Sequence, residues 1–70
     1  MRILDSKSLG KAISARRKEL KYTQSYISSI TGFSTSFISD LENGKTTAEI
    51  GKTIDIINVL GMNILVEPRE

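Results

Sequence analysis

Residues 23–45 decide the fold, and they read TQSYISSITGFSTSFISDLENGK. Two short helical patterns lie on either side of a single glycine, Gly32, which tolerates the positive φ of a sharp turn. Each pattern follows a preferred N-cap residue, Thr23 for the first and Ser34 for the second. Apolar residues recur at helical spacing within both patterns, so each helix should have one apolar face, and the residues concerned are Ile27, Ile30, Ile38 and Leu41.

Together the two patterns predict a helix-turn-helix over residues 23–43, with helices at 24–31 and 35–42. Phe33 follows the turn and should plug the space between these helices. In this motif the second helix enters the major groove of DNA, and the N-terminal part of that helix contacts base edges. The motif therefore predicts double-stranded DNA as a partner.

A further helix is predicted on the N-terminal side, from a cap at Asp5 or Ser6 to about Leu20. Its apolar stripe contains Leu9, Ile13 and Leu20. The next residue is a lysine at a position where glycine is usual, which indicates mild strain or a different cap geometry.

Arg17 continues the apolar stripe of this first helix, which is unusual for a charged residue. A guanidinium held against a core needs a partner, because an unpaired buried charge is very costly. Glu42, at the end of the third helix, is the candidate partner. The alternative is that Arg17 extends to water over its apolar stem.

A fourth helix is predicted after the Asn-Gly pair that stops the third. Thr46 or Thr47 can start it, and Thr46 with Glu49 three residues later would form a capping box. The helix should end at Leu60, with Gly61 as its C-cap.

The fourth helix has a wider apolar arc than three short helices can cover, and residues 62–67 are rich in β-formers. One strand in a helical chain has no partner for its backbone groups. A second copy of this strand, paired antiparallel across a two-fold axis, would supply the missing backbone partner and cover the apolar arc. Residues Met1 to Leu4 are the competing strand partner within the chain. We therefore predict a homodimer through a helix and strand at 47–67, with interface residues Ile56, Val59, Leu60, Met62, Ile64 and Val66.

The predicted fold class is mainly α: a small bundle of about four helices with a C-terminal β-strand in an intersubunit two-stranded sheet. The 70 residues form one domain, 1–70, and this length is near the lower limit for an independent core. A short chain without disulfides needs very good helix packing or oligomerisation. The small size therefore agrees with a dimer.

Composition argues against several classes of function. The chain has no cysteine and no histidine, which argues against disulfides, thiol catalysis and an ordinary zinc site. The carboxylates are scattered over helical surfaces, so we expect neither catalytic residues nor a cofactor. No apolar stretch approaches the ~18 residues of a membrane span, and no signal peptide is apparent. We expect a cytoplasmic protein, and the net charge of +2 is only mildly basic.

The outward face of the third helix should supply the base contacts. Ser and Thr hydroxyls can donate or accept, and Asp40 could accept from a cytosine amino group or instead form a local pair. The face lacks Arg, Gln and Asn, so water or DNA shape should carry part of the specificity. Phe37, at its edge, could touch a thymine methyl or belong to the core rim. The predicted base-contacting residues are Ser34, Thr35, Ser36, Ser39 and Asp40.

Contacts to the DNA backbone are predicted on both sides of this helix. Gln24, at the start of the second helix, can present its amide and the helix N-terminus to a phosphate. Asn43 and Lys45 are placed for the backbone on the far side of the groove.

The residues also carry a family resemblance, since the chain is similar to Xre/Cro-type repressors and, within them, to the HipB-like antitoxins. The resemblance covers residues 8–67 and rests on Leu9-Gly10, the segment from Arg17 to Leu20, Thr23-Gln24, Gly32, the segment from Phe37 to Lys45, and the Leu-Gly-Met-Asn-Ile-Leu-Val ending. It implies a lambda-repressor-like bundle with an intersubunit C-terminal strand. It also implies a dimer that represses its own operon and binds a HipA-type serine/threonine kinase toxin.

The resemblance further implies roles for particular residues. Phosphate contacts carry over onto Gln24, Asn43 and Lys45, and the structural Arg–Glu pair carries over onto Arg17 and Glu42. Two readings of function remain within this family: an autoregulating antitoxin, and a stand-alone repressor with no toxin partner. A protein-only interaction module that has lost DNA binding is a third.

Overall fold

The computed structural model describes residues 1–69 and contains four helices. They are α1 (Ser6–Glu19), α2 (Gln24–Thr31), α3 (Thr35–Glu42) and α4 (Ile50–Val59). The bounds of α2 and α3 are those predicted from the sequence, so the helix-turn-helix is present. Within residues 1–69, none of the helices is long and apolar enough to cross a membrane.

Local capping fixes where the first three helices begin. Asp5 accepts a hydrogen bond from the Ser8 backbone N–H at 2.8 Å and completes a capping box with Ser8. The hydroxyl groups of Thr23 and Ser34 each accept a backbone N–H at 3.0 Å at the starts of α2 and α3. Gly32 ends α2 with φ of 79°, a left-handed conformation that costs glycine little. The turn between α2 and α3 therefore depends on that glycine.

The core lies where all four helices meet, and it is made mainly of branched aliphatic side chains. Phe33 packs against it from the turn, as predicted. Ile30 differs from the prediction, because 49% of its surface remains exposed at the edge of α2. The buried core residues are Ile13, Ile27, Ile38, Leu41, Ile56, Ile57 and Leu60.

A glycine allows α1 and α3 to pack closely. A β-carbon at Gly10 would lie 2.5 Å from the carbonyl oxygen of Leu41 and 2.6 Å from that of Glu42. These are backbone atoms, which cannot move aside as a flexible side chain would. Gly10 is therefore required by space at the crossing of the two helices.

The end of α1 is strained, as the sequence suggested. Lys21 has φ of 61°, and among residues 1–69 no other residue except glycine has a positive φ. Its backbone N–H donates to the Lys18 carbonyl at 2.9 Å, and that of Tyr22 donates to the Arg17 carbonyl at 3.0 Å. These two bonds form the helix-ending pattern that usually employs glycine.

The predicted start of the fourth helix was wrong. α4 begins at Ile50 with Glu49 as its N-cap, and no side chain caps it, so the Thr46–Glu49 capping box is absent. The reason is a turn in which the Ala48 N–H donates to the Lys45 carbonyl at 3.3 Å, so that Ala48 packs against the core. The helix ends at Val59, one residue before the predicted end, and its C-cap is Leu60 rather than the predicted Gly61, which follows with φ of 70°.

Arg16 has a role at this end of α4 that the sequence did not reveal. Its Nε donates to the Leu60 carbonyl at 2.9 Å, while Nη1 pairs with Glu19 at 2.6 Å. The first contact joins α1 to the C-terminal turn of α4, across 44 residues of sequence.

The predicted C-terminal strand is not formed in the single chain. Residues 63–69 follow α4 without secondary structure, and residues 1–4 do not pair with them either. The physical reason is that a β-strand needs a neighbouring strand for its N–H and C=O groups, and the described part of the chain offers none. The monomer is thus an all-helical bundle.

Two of the predicted interface residues were also misplaced. Ile56 and Leu60 are each 1% exposed because they belong to the core of the chain itself, so their side chains cannot form a dimer surface. Val59 and Ile64 remain 40% and 50% exposed, Val66 is 91% exposed and Met62 is half-buried. The opposite edge of α4 exposes apolar residues that the prediction omitted, namely Ile50 and Ile54.

Candidate nucleic-acid interface

The N-terminal end of α3 presents a row of exposed hydroxyl groups. Ile38 and Leu41 fasten the opposite face of the helix to the core, which fixes its rotation. Ser34, Thr35 and Ser36 are all exposed at this end. The Ser34 hydroxyl already accepts the Phe37 N–H at 3.0 Å, but its O–H can still donate outward. The surface can therefore offer donors and acceptors to base edges.

Ser39 and Asp40 lie further along α3 and are more engaged with the protein. Ser39 is half-buried, and its carbonyl accepts the Asn43 side-chain amide at 2.9 Å. The Asp40 carboxylate is exposed and lies 3.5 Å from the Lys45 ammonium. The local pair that the sequence offered as one reading of Asp40 is thus present in the free protein. Exposed pairs of this length are weak, so either partner can turn to DNA instead.

A chain of hydrogen bonds connects α1, α3 and α2. Arg17 donates from Nε to Glu42 at 2.6 Å and from Nη2 to the other carboxylate oxygen at 2.9 Å. Its Nη1 donates to the Tyr22 carbonyl at 2.8 Å. The Gln24 amide also donates to Glu42, at 3.2 Å. This arrangement matches the Arg17–Glu42 partnership predicted from the sequence and places Arg17 inside the fold rather than in water.

The hydrogen bonds among Arg17, Glu42 and Gln24 favour the charged forms of Arg17 and Glu42. Burial by itself would raise the pKa of Glu42, but hydrogen bonds from Arg17 and Gln24 and the positive charge of Arg17 outweigh it, so the pKa lies below its ordinary value. The hydrogen bond to Glu42 raises the pKa of Arg17 above its ordinary value. The pair is ionised throughout the physiological range and has well-aligned two-point geometry.

The groups predicted to contact phosphates lie at the ends of two helices. Gln24 is the first residue of α2, and its amide nitrogen carries a second N–H that Glu42 does not use. Asn43 and Lys45 lie in the turn after α3 and are both exposed. Each of these donors is thus held in place by a neighbour on α3 and retains the capacity to bind a further acceptor.

An aromatic–lysine cluster joins α3 to the preceding turn and to α4. Sequence reasoning missed this cluster. The rings of Phe33 and Phe37 meet edge to face with centroids 5.8 Å apart. The Lys52 ammonium lies 5.5 Å and 5.6 Å from the two centroids. Phe37 is half-buried in this contact, which favours its role as a core rim residue. The i, i+4 spacing of the two phenylalanines was a visible signal, whereas nothing local pointed to Lys52.

The described residues do not bring together three or more metal-ligating side chains of the His, Cys, Asp and Glu types. The features that converge on α3 are hydroxyl groups, amides and one lysine, which suit hydrogen bonding to bases and phosphates.

Comparison with known proteins agrees with this geometry. A family model described as a helix-turn-helix domain matches residues 10–65. The uncharacterized HTH-type transcriptional regulator y4mF of Sinorhizobium fredii (strain NBRC 101917 / NGR234) is 36% identical over 63 residues, covering 90% of this chain and 83% of that protein. The ImmF control region 10 kDa protein of Bacillus phage phi105 is 35% identical over 66 residues, covering 90% and 72% respectively.

Solved structures share the fold at lower identity. A HipB-O4 20mer complex superposes with a TM-score of 0.89 at 20% identity, over 100% of this chain and 99% of that chain. A HipA-HipB-O2-O3 complex superposes with a TM-score of 0.90 at 20% identity, with the same coverage. At this identity the likeness establishes the fold.

Proposed function

The chain belongs to the Xre-type helix-turn-helix domain family, and from this premise we propose that it is a dimeric, sequence-specific repressor that serves as the antitoxin of a HipBA-type operon. The family match over residues 10–65 identifies the chain as a helix-turn-helix transcriptional regulator. The observation that supports sequence-specific DNA binding is the exposed hydroxyl row of α3, which has hydrogen-bond donors from Gln24, Asn43 and Lys45 on both of its sides. In this proposal Ser34, Thr35 and Ser36 contact bases.

Each half of the operator would be bound in the same way, by one set of residues that contacts phosphates and another that contacts bases. Gln24, Asn43 and Lys45 contact phosphates and fix the position of α3 in the major groove. Ser39 and Asp40 complete the base contacts, and Asp40 exchanges its bond to Lys45 for a base while Lys45 turns to a phosphate. The Arg17–Glu42 pair contributes indirectly, because it holds Gln24 and the end of α3 in a fixed relation. Bound to a palindromic operator, the protein would block transcription of its own operon.

Dimerisation is the second part of the proposal. Within residues 1–69, the backbone of residues 62–66 has no strand partner. The neighbouring groove is lined mainly by apolar residues from both termini, α1 and α4, and many of them are exposed. A second copy of the chain would supply the missing strand and cover the groove. Met62 is half-buried and Ile64 is 50% exposed, whereas Leu65 is 82% exposed, which supports an inward position for Met62 and Ile64. Val66 alternates to the same face, but it is 91% exposed in the single chain and would be covered only by the second copy. The exposed apolar residues that this would cover include Ile50, Ile54, Ile64, Leu65 and Val66.

The proposal of a toxin partner is based on likeness of fold to HipB, one of whose structures is a HipA-HipB-O2-O3 complex. By this analogy the partner is a HipA-type serine/threonine kinase encoded beside this chain. Co-expression of the chain with the neighbouring reading frame tests the proposal. We expect a kinase-like product that co-purifies with the chain and arrests growth only when the chain is absent. An unrelated helix-turn-helix regulator, expressed in place of the chain, is the control.

A stand-alone repressor is the alternative, and the sequence relatives favour it. Both y4mF and the phage phi105 protein are more similar in sequence than the HipB structures are, and neither name refers to a toxin. Operator binding without a kinase-like neighbour, or with a neighbour that does not bind the chain, would select this reading.

A further inference from the structure

Three lysines of α1 form one exposed stripe on the side of the helix away from the core. Lys7, Lys11 and Lys18 lie at i, i+4 and i+11, which at 3.6 residues per turn places them within an arc of about 40°. All three are exposed, and none forms an ion pair within residues 1–69. By contrast, Arg16 and Arg17 of the same helix are both paired to carboxylates. The stripe is thus a row of positive charges without an ion pair in the described part of the chain, and the charges of Lys7 and Lys11 help to lower the pKa of nearby Asp5.

The stripe runs along the edge of the molecule that carries the proposed phosphate contacts. At one end, the Lys7 backbone touches the turn after α3, since a β-carbon at Gly44 would lie 2.8 Å from the Lys7 Cα. That turn contains Asn43 and Lys45. In the middle, Ser14 lies on the same face of α1, and its side chain helps to lower the pKa of Glu42. The Gln24 amide donates to that carboxylate at 3.2 Å.

The length and sign of the stripe match a stretch of DNA backbone. Eleven residues of helix span about 16 Å from Lys7 to Lys18. That distance of duplex axis carries about five phosphates on one strand. We propose that Lys7, Lys11 and Lys18 form a second row of contacts to operator phosphates, beside those made by Gln24 and the Asn43–Lys45 turn. This inference rests on the proposed function and extends its DNA footprint from the helix-turn-helix to α1.

The experiment measures operator affinity as a function of salt for single-charge variants. Lys11→Gln and Lys18→Gln each remove one charge from the stripe at little cost in helix propensity, since glutamine and lysine are similar. Arg69→Gln removes the same charge from the exposed C-terminal segment and serves as the control. Circular dichroism confirms that all three variants are folded.

We expect each stripe variant to make the slope of log Kobs against log salt shallower by about 1.8 per dimer, or about 0.9 for each subunit. Affinity for operator and for unrelated DNA should fall together, because phosphate contacts carry no sequence information. Arg69→Gln should leave the slope at the wild-type value. The inference would be overturned if Lys11→Gln and Lys18→Gln kept the wild-type slope, or changed it no more than Arg69→Gln does. The proposed function would be unaffected by that result, provided that the wild-type protein binds its operator. A wild-type protein that does not prefer its operator would overturn the proposed function as well.

Discussion

The Arg17 guanidinium contacts the Glu42 carboxylate through two hydrogen bonds, of 2.6 Å and 2.9 Å, and this pair joins α1 to the end of α3. Only 11% and 6% of the two side chains are exposed. The pair therefore holds α3 against the bundle, and it connects the core of the fold with the proposed DNA interface.

Removing one partner of this pair should be strongly destabilising. We expect Glu42→Ala to lower the free energy of unfolding by about 3–5 kcal/mol, because Arg17 would keep a buried charge without a partner. Urea denaturation followed by circular dichroism measures the change. Glu19→Ala is the matched control, since the Arg16–Glu19 pair is much more exposed and should contribute about 0–1 kcal/mol. Equal, small effects of both changes would contradict a structural role for the buried pair.

Stability should fall in acid through the carboxylates whose pKa values are lowered by folding. The pKa of Glu42 lies below its ordinary value of 4.5, so the folded state binds this proton less readily than the unfolded state. Its contribution is complete above about pH 4.5 and is lost as the pH falls through the lowered pKa. Denaturation at a series of pH values from 7 to 3 should show this loss.

Variants separate the two carboxylates involved. The pKa of Asp5 is also lowered, by its hydrogen bonds to Ser8 at the start of α1. Glu42→Gln should flatten part of the acid dependence, and Asp5→Asn should flatten another part. An acid profile that neither substitution alters would mean that these groups do not control it.

Two glycines should respond in opposite ways to the same substitution. Gly10→Ala would place a methyl group against the backbone of α3, and we expect a loss of about 1–3 kcal/mol or more. Gly51, in α4, has no atom within 4 Å of the corresponding position, so Gly51→Ala should stabilise by up to about 1 kcal/mol through helix propensity. Thermal unfolding of the two variants checks both signs. Stabilisation by Gly10→Ala would show that α1 and α3 do not approach so closely.

The dimer proposal is tested at the centre of the C-terminal segment. Ile64→Pro removes a backbone N–H from the intersubunit ladder and should convert dimers to monomers, with operator affinity falling sharply. The monomer should remain folded, because residues 63–69 form no secondary structure within the single chain. Sedimentation velocity measures the association state, and Ile64→Val is the control that retains the ladder. A fully dimeric proline variant would place the dimer contact elsewhere, with exposed Ile50 and Ile54 the first candidates.

Local signals predicted the helix-turn-helix well. Thr23 and Ser34 form the expected caps, Gly32 adopts the expected left-handed turn, and Ile27 and Ile38 are fully buried. These features depend on residues within one or two turns of each other, so the sequence pattern contains them. Arg17 could be paired with Glu42 because a charge on an apolar stripe demands a partner.

Features that depend on distant packing were not predictable in the same way. The apolar arc of α4 indicated a large buried surface but not which part the chain itself would cover, so Ile56 and Leu60 were assigned to the wrong surface. The contact of Arg16 with the Leu60 carbonyl and the position of Lys52 over two rings join segments far apart in sequence. The start of α4 was misplaced because a turn that packs Ala48 on the core prevailed over the local capping signal.

Selection of DNA from a random pool tests most directly the central claim that α3 reads a palindromic operator as part of a dimer. We predict enrichment of palindromes whose half-sites are about one helical turn, or a multiple of it, apart, with affinity that falls steeply with salt. Lys45→Ala should select the same sequence with weaker affinity, whereas Ser36→Ala should relax the preference at particular base pairs. Enrichment of no sequence by the wild-type protein, or an unchanged preference for Ser36→Ala and other α3 variants alike, would contradict the account.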